Sequence, residues 1–112
     1  MDDLLKEMGQ RLTARRKQLR LTQEEVAERS ELTTQTISTA ETGRKALRPE
    51  NIIKLSEALD ISVEYLLLGK VSDTDISILN EKVSKLTPDQ YRHLEDIIDS
   101  YIAAVTPKNG KA

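Results

Sequence analysis

Two helix-start signals close together, one at Thr22 and one at Thr33, constrain this chain more than anything else in it. In Thr22-Gln23-Glu24-Glu25 the threonine hydroxyl can accept from the backbone N–H three residues on, while Glu25 reaches back to the N–H of Thr22, which is a capping box. A short helix is expected from Gln23 to Ser30, with Val26 and Ala27 facing inward. Glu31-Leu32 interrupts it, and Thr33 then caps a second helix from Thr34 to Thr42, with Ile37 and Ala40 on its buried side and Gly43 as its stop. Helices this short do not persist alone in water, so both must lean on neighbouring elements.

Those neighbours are legible on either side. Leu5, Met8, Leu12 and Leu19 recur at helical spacing and predict an amphipathic helix over 3–19. Pro49 suits the first turn of another helix, whose apolar side is Ile52, Ile53, Leu55, Leu59 and Ile61. Ser62 and Gly69 bracket one more short helix. Five helices therefore precede residue 70. With no Phe, Trp or Cys and three Tyr, the apolar content is almost wholly Leu, Ile, Val and Ala, as packed helices require. A length of 112 residues fits one small domain with an appendage.

Composition narrows the chemistry. Without Cys there are no disulfides or thiolate metal sites, and a single His gives no imidazole cluster, so neither a metal nor another cofactor is expected. No glycine-rich phosphate loop and no nucleophile-and-base constellation point to an enzyme. No apolar run is long enough to cross a membrane, and the acidic start Met1-Asp2-Asp3 is unlike a secretion signal, which places the expected site of action in the cytoplasm. Lys plus Arg number 17 against 19 Asp plus Glu, but distribution matters more than the sum. Residues 11–20 hold Arg11, Arg15, Arg16, Lys17 and Arg20 with no carboxylate, and Arg44, Lys45 and Arg48 form a second basic group. Such groups are either solvated helix faces or, gathered by the fold, an anion-binding surface.

Leu21-Thr22-Gln23-Glu24-Glu25-Val26-Ala27-Glu28, Leu32-Thr33-Thr34-Gln35-Thr36-Ile37-Ser38 and Glu41-Thr42-Gly43-Arg44-Lys45, in that order and spacing, resemble the Cro and phage-repressor class of helix-turn-helix domains, the xenobiotic response element family. Pro49, Leu55, Ala58-Leu59 and Val63-Glu64-Tyr65-Leu66-Leu67 continue the resemblance, which covers about residues 6–69. It implies an all-α fold: a five-helix lambda-repressor-like DNA-binding domain, here with a C-terminal helical hairpin as a dimerisation extension. It further implies that helix 34–42 enters the major groove, with Thr34, Gln35 and Thr39 at base-contacting positions and Ser38 and Thr36 beside them. The amide of Gln35 can donate to and accept from adenine, so a bias to A·T is expected opposite it. Gln23 is implied as a phosphate contact at a helix N-terminus, with plain helix capping as its alternative. Arg44, Lys45, Arg11 and Lys17, and after them Arg15 and Arg20, are further phosphate candidates, whereas Arg16 and Glu41 are implied as a structural pair. Two departures stand out: Glu31 replaces the usual turn glycine, and the stretch Lys45 to Pro49 is about one residue long, which unsettles the position of Arg48.

Beyond Gly69 the pattern changes. Residues 70–73 are a polar linker between domain 1–69 and an extension over 74–105, followed by a tail, 106–112. Ile76, Leu79, Val83 and Leu86 form one stripe, and Thr87-Pro88-Asp89-Gln90 starts a second helix with a cap. Tyr91, Leu94, Ile98, Tyr101 and Val105 then follow a heptad seam, widened by Ile97 and Ile102, while His93 lies on the other side as an ordinary surface residue. Such faces either fold back or pair with a second chain, and a twofold operator favours the homodimer. The expected function is a sequence-specific transcription regulator, in sign a repressor, on double-stranded operator DNA. The alternative is a protein-interaction regulator or antitoxin-type protein, whose C-terminal helices bind an antirepressor or toxin; the equal numbers of basic and acidic residues in 1–70 keep it in view.

Overall fold

The computed structural model describes residues 2–107, and of Asp2 only the backbone; residues 108–112, most of the expected tail, lie outside it. Seven helices follow in order: α1 Asp2–Gln18, α2 Gln23–Ser30, α3 Thr34–Thr42, α4 Pro49–Ala58, α5 Val63–Leu68, α6 Asp73–Val83 and α7 Pro88–Val105, with no strand among the described residues. The chain divides into two compact units, one reaching Ile78 and one from Leu79 on, so the division falls within α6 and not at the expected linker over 70–73.

In the first unit α1 packs on α3 and α5, α2 on α3 and α4, and α4 on α5. The core joins Leu12, Val26, Ala27, Ile37, Ala40, Leu55, Leu59, Ile61 and Leu66, with Leu19, Leu21, Leu32, Leu47, Ile52 and Tyr65 packed around it. Burial of each large aliphatic side chain contributes about 1.5–3 kcal/mol, which is what holds such short helices in place. Sequence-read caps are present as hydrogen bonds. Thr22 accepts from the Glu25 N–H at 3.0 Å while Glu25 accepts from the Thr22 N–H at 2.8 Å. Thr33 accepts from the Thr36 N–H, and Ser62 from the Tyr65 N–H.

Four of these helices end in the same way. The N–H groups of Leu21, Leu32, Arg44 and Ile61 return to the carbonyls of Arg16, Ala27, Thr39 and Ser56, five residues back, and the residue before each donor is left-handed. This is the Schellman termination, and three of its four closing residues are apolar and turn into the core. Only Gly43 among the four left-handed residues is the glycine such a position favours; the others are Arg20 (φ 60°), Glu31 (φ 60°) and Asp60 (φ 53°). The turn between α2 and α3 thus keeps its geometry without the usual glycine, held by the bond from Leu32 N to Ala27 O at 2.9 Å.

Where α1 crosses α3 the backbones nearly touch. A Cβ on Gly9 would lie 2.4 Å from the Glu41 carbonyl oxygen and 2.6 Å from that of Ala40. Gly9→Ala should therefore destabilise the unit by about 1–3 kcal/mol, although alanine is the better helix former by roughly 1 kcal/mol. Glu31→Gly should act in the opposite sense, stabilising by about 0.5–1 kcal/mol, because relief of the left-handed conformation exceeds the added unfolded-state entropy. Urea unfolding of both variants checks the pair of signs.

Candidate nucleic-acid interface

The site is α3, the turn before it and the loop after it. Ile37 and Ala40 are buried, which fixes the outward face of α3: Thr34 and Gln35 are exposed, and Thr36, Ser38 and Thr39 are half-buried. The hydroxyl of Thr36 sits 2.9 Å from that of Thr33, so it is shared with the cap, whereas Thr34, Gln35 and Thr39 have no side-chain hydrogen bond among the described residues. Thr42 folds its hydroxyl back onto the Ser38 and Thr39 carbonyls.

Gln35, Thr36 and Thr39 line one side of a cleft whose other side is Lys45, Ala46, Leu47, Arg48 and Asn51. Arg48 is the N-cap residue of α4 and makes no side-chain cap bond; its one ion pair, to Glu50 at 3.8 Å, is between two highly exposed side chains and contributes little. Arg44 and Lys45 are exposed and form no ion pair among the described residues. Four polar groups expected as separate candidates, Gln35, Thr36, Thr39 and Lys45, are therefore neighbours. Arg48, whose place the sequence left open, and Asn51, which nothing singled out, join them. Asn51 was hidden because it lies in the first turn of α4, where a polar residue is unremarkable.

The basic run of α1 separates into different roles. Arg11, expected on phosphate, donates from Nε to the Leu66 carbonyl at 2.9 Å and from Nη2 to the Leu67 carbonyl at 3.0 Å, at the negative end of α5. Arg15 does the same for α4, from Nε to the Leu59 carbonyl at 2.8 Å and from Nη2 to that of Asp60 at 3.2 Å. Both guanidiniums are committed to uncapped carbonyls inside the chain, a demand that sequence does not distinguish from a demand for phosphate. Lys17 and Arg20 are exposed.

Arg16 and Glu41 form a bidentate pair, Nε to Oε2 at 2.6 Å and Nη2 to Oε1 at 3.1 Å, with side chains only 15% and 7% exposed. Gln23, the first residue of α2, donates its amide to the same Oε1 at 3.0 Å. Glu41 thus gathers α1, α2 and α3, and the amide of Gln23 is held beside the N-terminus of α2. Burial alone would raise the Glu41 pKa; the hydrogen bonds from Arg16 and Gln23 and the charge of Arg16 overcome it and hold the carboxyl below its ordinary value. The same hydrogen bond raises the pKa of Arg16.

Two capped helices joined by a Schellman turn, the second with its polar N-terminal face outward and the whole set within a five-helix core, constitute a helix-turn-helix domain. Comparison with known proteins agrees: the Helix-turn-helix family matches residues 12–66. The repressor protein C2 of Salmonella phage P22 is 36% identical over 70 residues, 62% of this chain, and the match spans 32% of that repressor's length. Among solved structures, the restriction-modification controller protein C.AhdI of Aeromonas hydrophila is 38% identical, covering 59% of this chain and 98% of that one with a TM-score of 0.55. The P22 c2 repressor in complex with a synthetic operator is 36% identical over 56% of this chain and 96% of that one, also at 0.55. A SinR protein/SinI protein complex, at 23% identity and a TM-score of 0.55 over 86% of this chain, shares the fold. The chain belongs to the phage-repressor type of helix-turn-helix proteins.

Glu41→Gln should cost about 3 kcal/mol at neutral pH, because it leaves Arg16 half-buried without its counter-charge. The pH dependence has a definite sign. The folded pKa of Glu41 lies below its unfolded value of roughly 4.3, so its stabilisation is complete above that pH and is lost as pH falls through the folded value. Unfolding curves of the wild type and the variant, well separated at pH 7, should converge as the pH falls below about 4.

Proposed function

We propose that this chain is a cytoplasmic transcription regulator, in sign a repressor, that binds a twofold DNA operator as a homodimer and reads the major groove with α3. The observation that carries the reading is the outward face of α3, where Gln35 and Thr39 share a cleft with Lys45 and Arg48, Thr34 and Arg44 are exposed, and among the described residues the one carboxylate paired with these cations is the exposed Glu50. A groove roughly 12 Å wide admits one helix, and residues at its N-terminal end reach base edges. Gln35 is the base reader, with Thr34 and Thr39 beside it and Ser38 and Thr36 in lesser roles. Gln23, Arg44 and Lys45 take phosphates, joined by Arg48 from the loop; the exposed Lys17, and Arg11, whose Nε and Nη2 already donate to carbonyls of α5, are secondary candidates. Similarity to the P22 repressor, solved with its operator, supports both the DNA and the sign of regulation.

Dimerisation is assigned to the extension. On α7 the seam side chains Tyr91, Ile98, Tyr101 and Val105 are exposed and Leu94 is half-buried, with Ile97 and Ile102 exposed as well. On α6 and the turn after it, Ile76, Leu79 and Leu86 are exposed. Exposed apolar side chains in such number along α7 mark a contact face, and a second copy offers the same stripe as its partner. Occupation of these helices by a different protein, an antirepressor or toxin, is the competing reading, and a protein complex that persists in high salt without DNA would favour it.

Selection of bound duplexes from a random library tests the whole proposal. An inverted repeat with half-site centres about one helical turn apart is expected. Gln35→Ala should cost about 1–3 kcal/mol and relax one position of each half-site, whereas Lys45→Ala should weaken all sequences alike and lower the salt slope by about one unit. Recovery of no motif by folded protein would sink the reading, and a chain that sediments as a monomer would remove the dimer.

A further inference from the structure

Asp75 makes more contacts than a residue in the first turn of a connecting helix requires. Its Oδ1 accepts from the Ser62 N–H at 2.8 Å, and its Oδ2 accepts from the Ser62 hydroxyl at 2.6 Å, the Ser72 N–H at 2.9 Å and the Ser72 hydroxyl at 3.3 Å. Ser62 is 3% exposed and at the same time caps α5 by accepting from the Tyr65 N–H. One carboxylate therefore closes the N-terminus of α6 and grips the residue that starts α5. Charge-assisted bonds of this kind are about twice as strong as neutral ones. Burial disfavours the charged form of Asp75, but the donors of Ser62 and Ser72 outweigh it and keep its pKa below the ordinary value, so the clasp stays ionised at neutral pH.

The clasp sits at a telling point in the chain. Between the left-handed stop at Gly69 and the start of α6 there are three residues, Lys70, Val71 and Ser72, of which the first two are exposed. Left to itself this stretch is a swivel. With Asp75 gripping Ser62, the first turn of α6 belongs to the DNA-binding unit and the three residues of the swivel are bridged.

We propose that Asp75 is a positioning residue that sets operator spacing: by anchoring the start of α6 on the DNA-binding unit, it restricts the separation at which the two reading helices of a dimer are presented. The proposal rests on the dimeric operator reading above. One inserted base pair displaces a half-site by roughly 3.4 Å and turns it by about a tenth of a turn. An anchored pair cannot follow that displacement, whereas a pair on swivels follows it and gains less from having two sites on one duplex.

The test uses the full chain and a series of operators that share the selected half-sites and differ in the base pairs between them. Affinity for each is measured by fluorescence anisotropy, together with affinity for an isolated half-site and self-association by sedimentation. For Asp75→Ala the preference for the best spacing over its neighbours should fall by about tenfold, while half-site affinity and self-association stay as in the wild type. If Asp75→Ala is unfolded at the assay temperature, Asp75→Asn, which keeps one acceptor oxygen, takes its place and the same outcomes decide. A spacing profile as sharp in the folded variant as in the wild type overturns the clasp and leaves the dimer standing. A wild type that is monomeric, or indifferent to the pairing of half-sites, overturns both.

Discussion

The Glu41 carboxylate is the point on which the first unit turns. It is nearly inaccessible, it receives two bonds from Arg16 on α1 and one from Gln23 on α2, and it belongs to the last turn of α3. A buried carboxylate with one partner is a liability; with a planar guanidinium and an amide around it, its lone pairs are met and its charge is balanced. Arg16 also spends Nη1 on the Leu21 carbonyl, inside the turn that leads to α2. The ion pair consequently fixes a turn as well as two helices. Its near neighbours Arg11 and Arg15 extend the logic, each placing a cation on the carbonyl end of another helix. Helix α1 thereby acts as a strut tied to α3, α4 and α5.

That strut determines what α3 can present. Gly9 lets the α1 backbone lie against the carbonyls of Ala40 and Glu41, Ile37 and Ala40 fill the space behind, and the inner face of α3 is exhausted. With Glu41 held by Arg16 and Gln23, the side chains of Thr34, Gln35, Thr36 and Thr39 are left to the cap, the cleft or solvent. The base reading proposed for α3 would need this fixity, since discrimination by a bidentate amide depends on placement as well as on chemistry. At its N-terminal end the cap from Thr33 occupies the hydroxyl of Thr36, which leaves Gln35 as the long exposed side chain of α3 that lines the cleft.

The fold was legible in the sequence to the extent that its determinants are local. Thr22, Thr33, Ser62 and Thr87 announce helix starts because a cap is a contact over three residues, and all four cap in the structure. The Arg16 and Glu41 pair came through the family resemblance, not through spacing. What stayed illegible depends on partners distant in the chain. An arginine on an exposed helix face looks the same whether its guanidinium will meet a phosphate or the carbonyls of a helix 44 or 55 residues away, as with Arg15 and Arg11. Gly9 reads as a weak helical residue until the crossing of α3 gives it a reason. Ser72 and Asp73 read as linker, and neither the start of α6 at Asp73 nor the grip of Asp75 on Ser62 could be seen, because the second depends on a residue 13 positions away.

The arginines of α1 serve chiefly to hold the fold: Arg16 is neutralised by Glu41, whereas Arg11 and Arg15 keep their charge with their guanidiniums directed at carbonyls at the ends of α5 and α4. What remains near α3 is a small set of loop cations, Arg44, Lys45 and Arg48. Each neutralised phosphate contributes about 0.9 to the logarithmic salt slope, so one domain with three such contacts has weak non-specific affinity. Weak single-domain binding is an advantage to a regulator whose specificity lies in two half-sites at a set separation, because the second domain then multiplies affinity only where both sites are present. In the dimer proposed above, the modest charge of the reading unit would keep a lone domain from binding everywhere, and the apolar stripe of α7 would supply the partner that makes binding at one place strong.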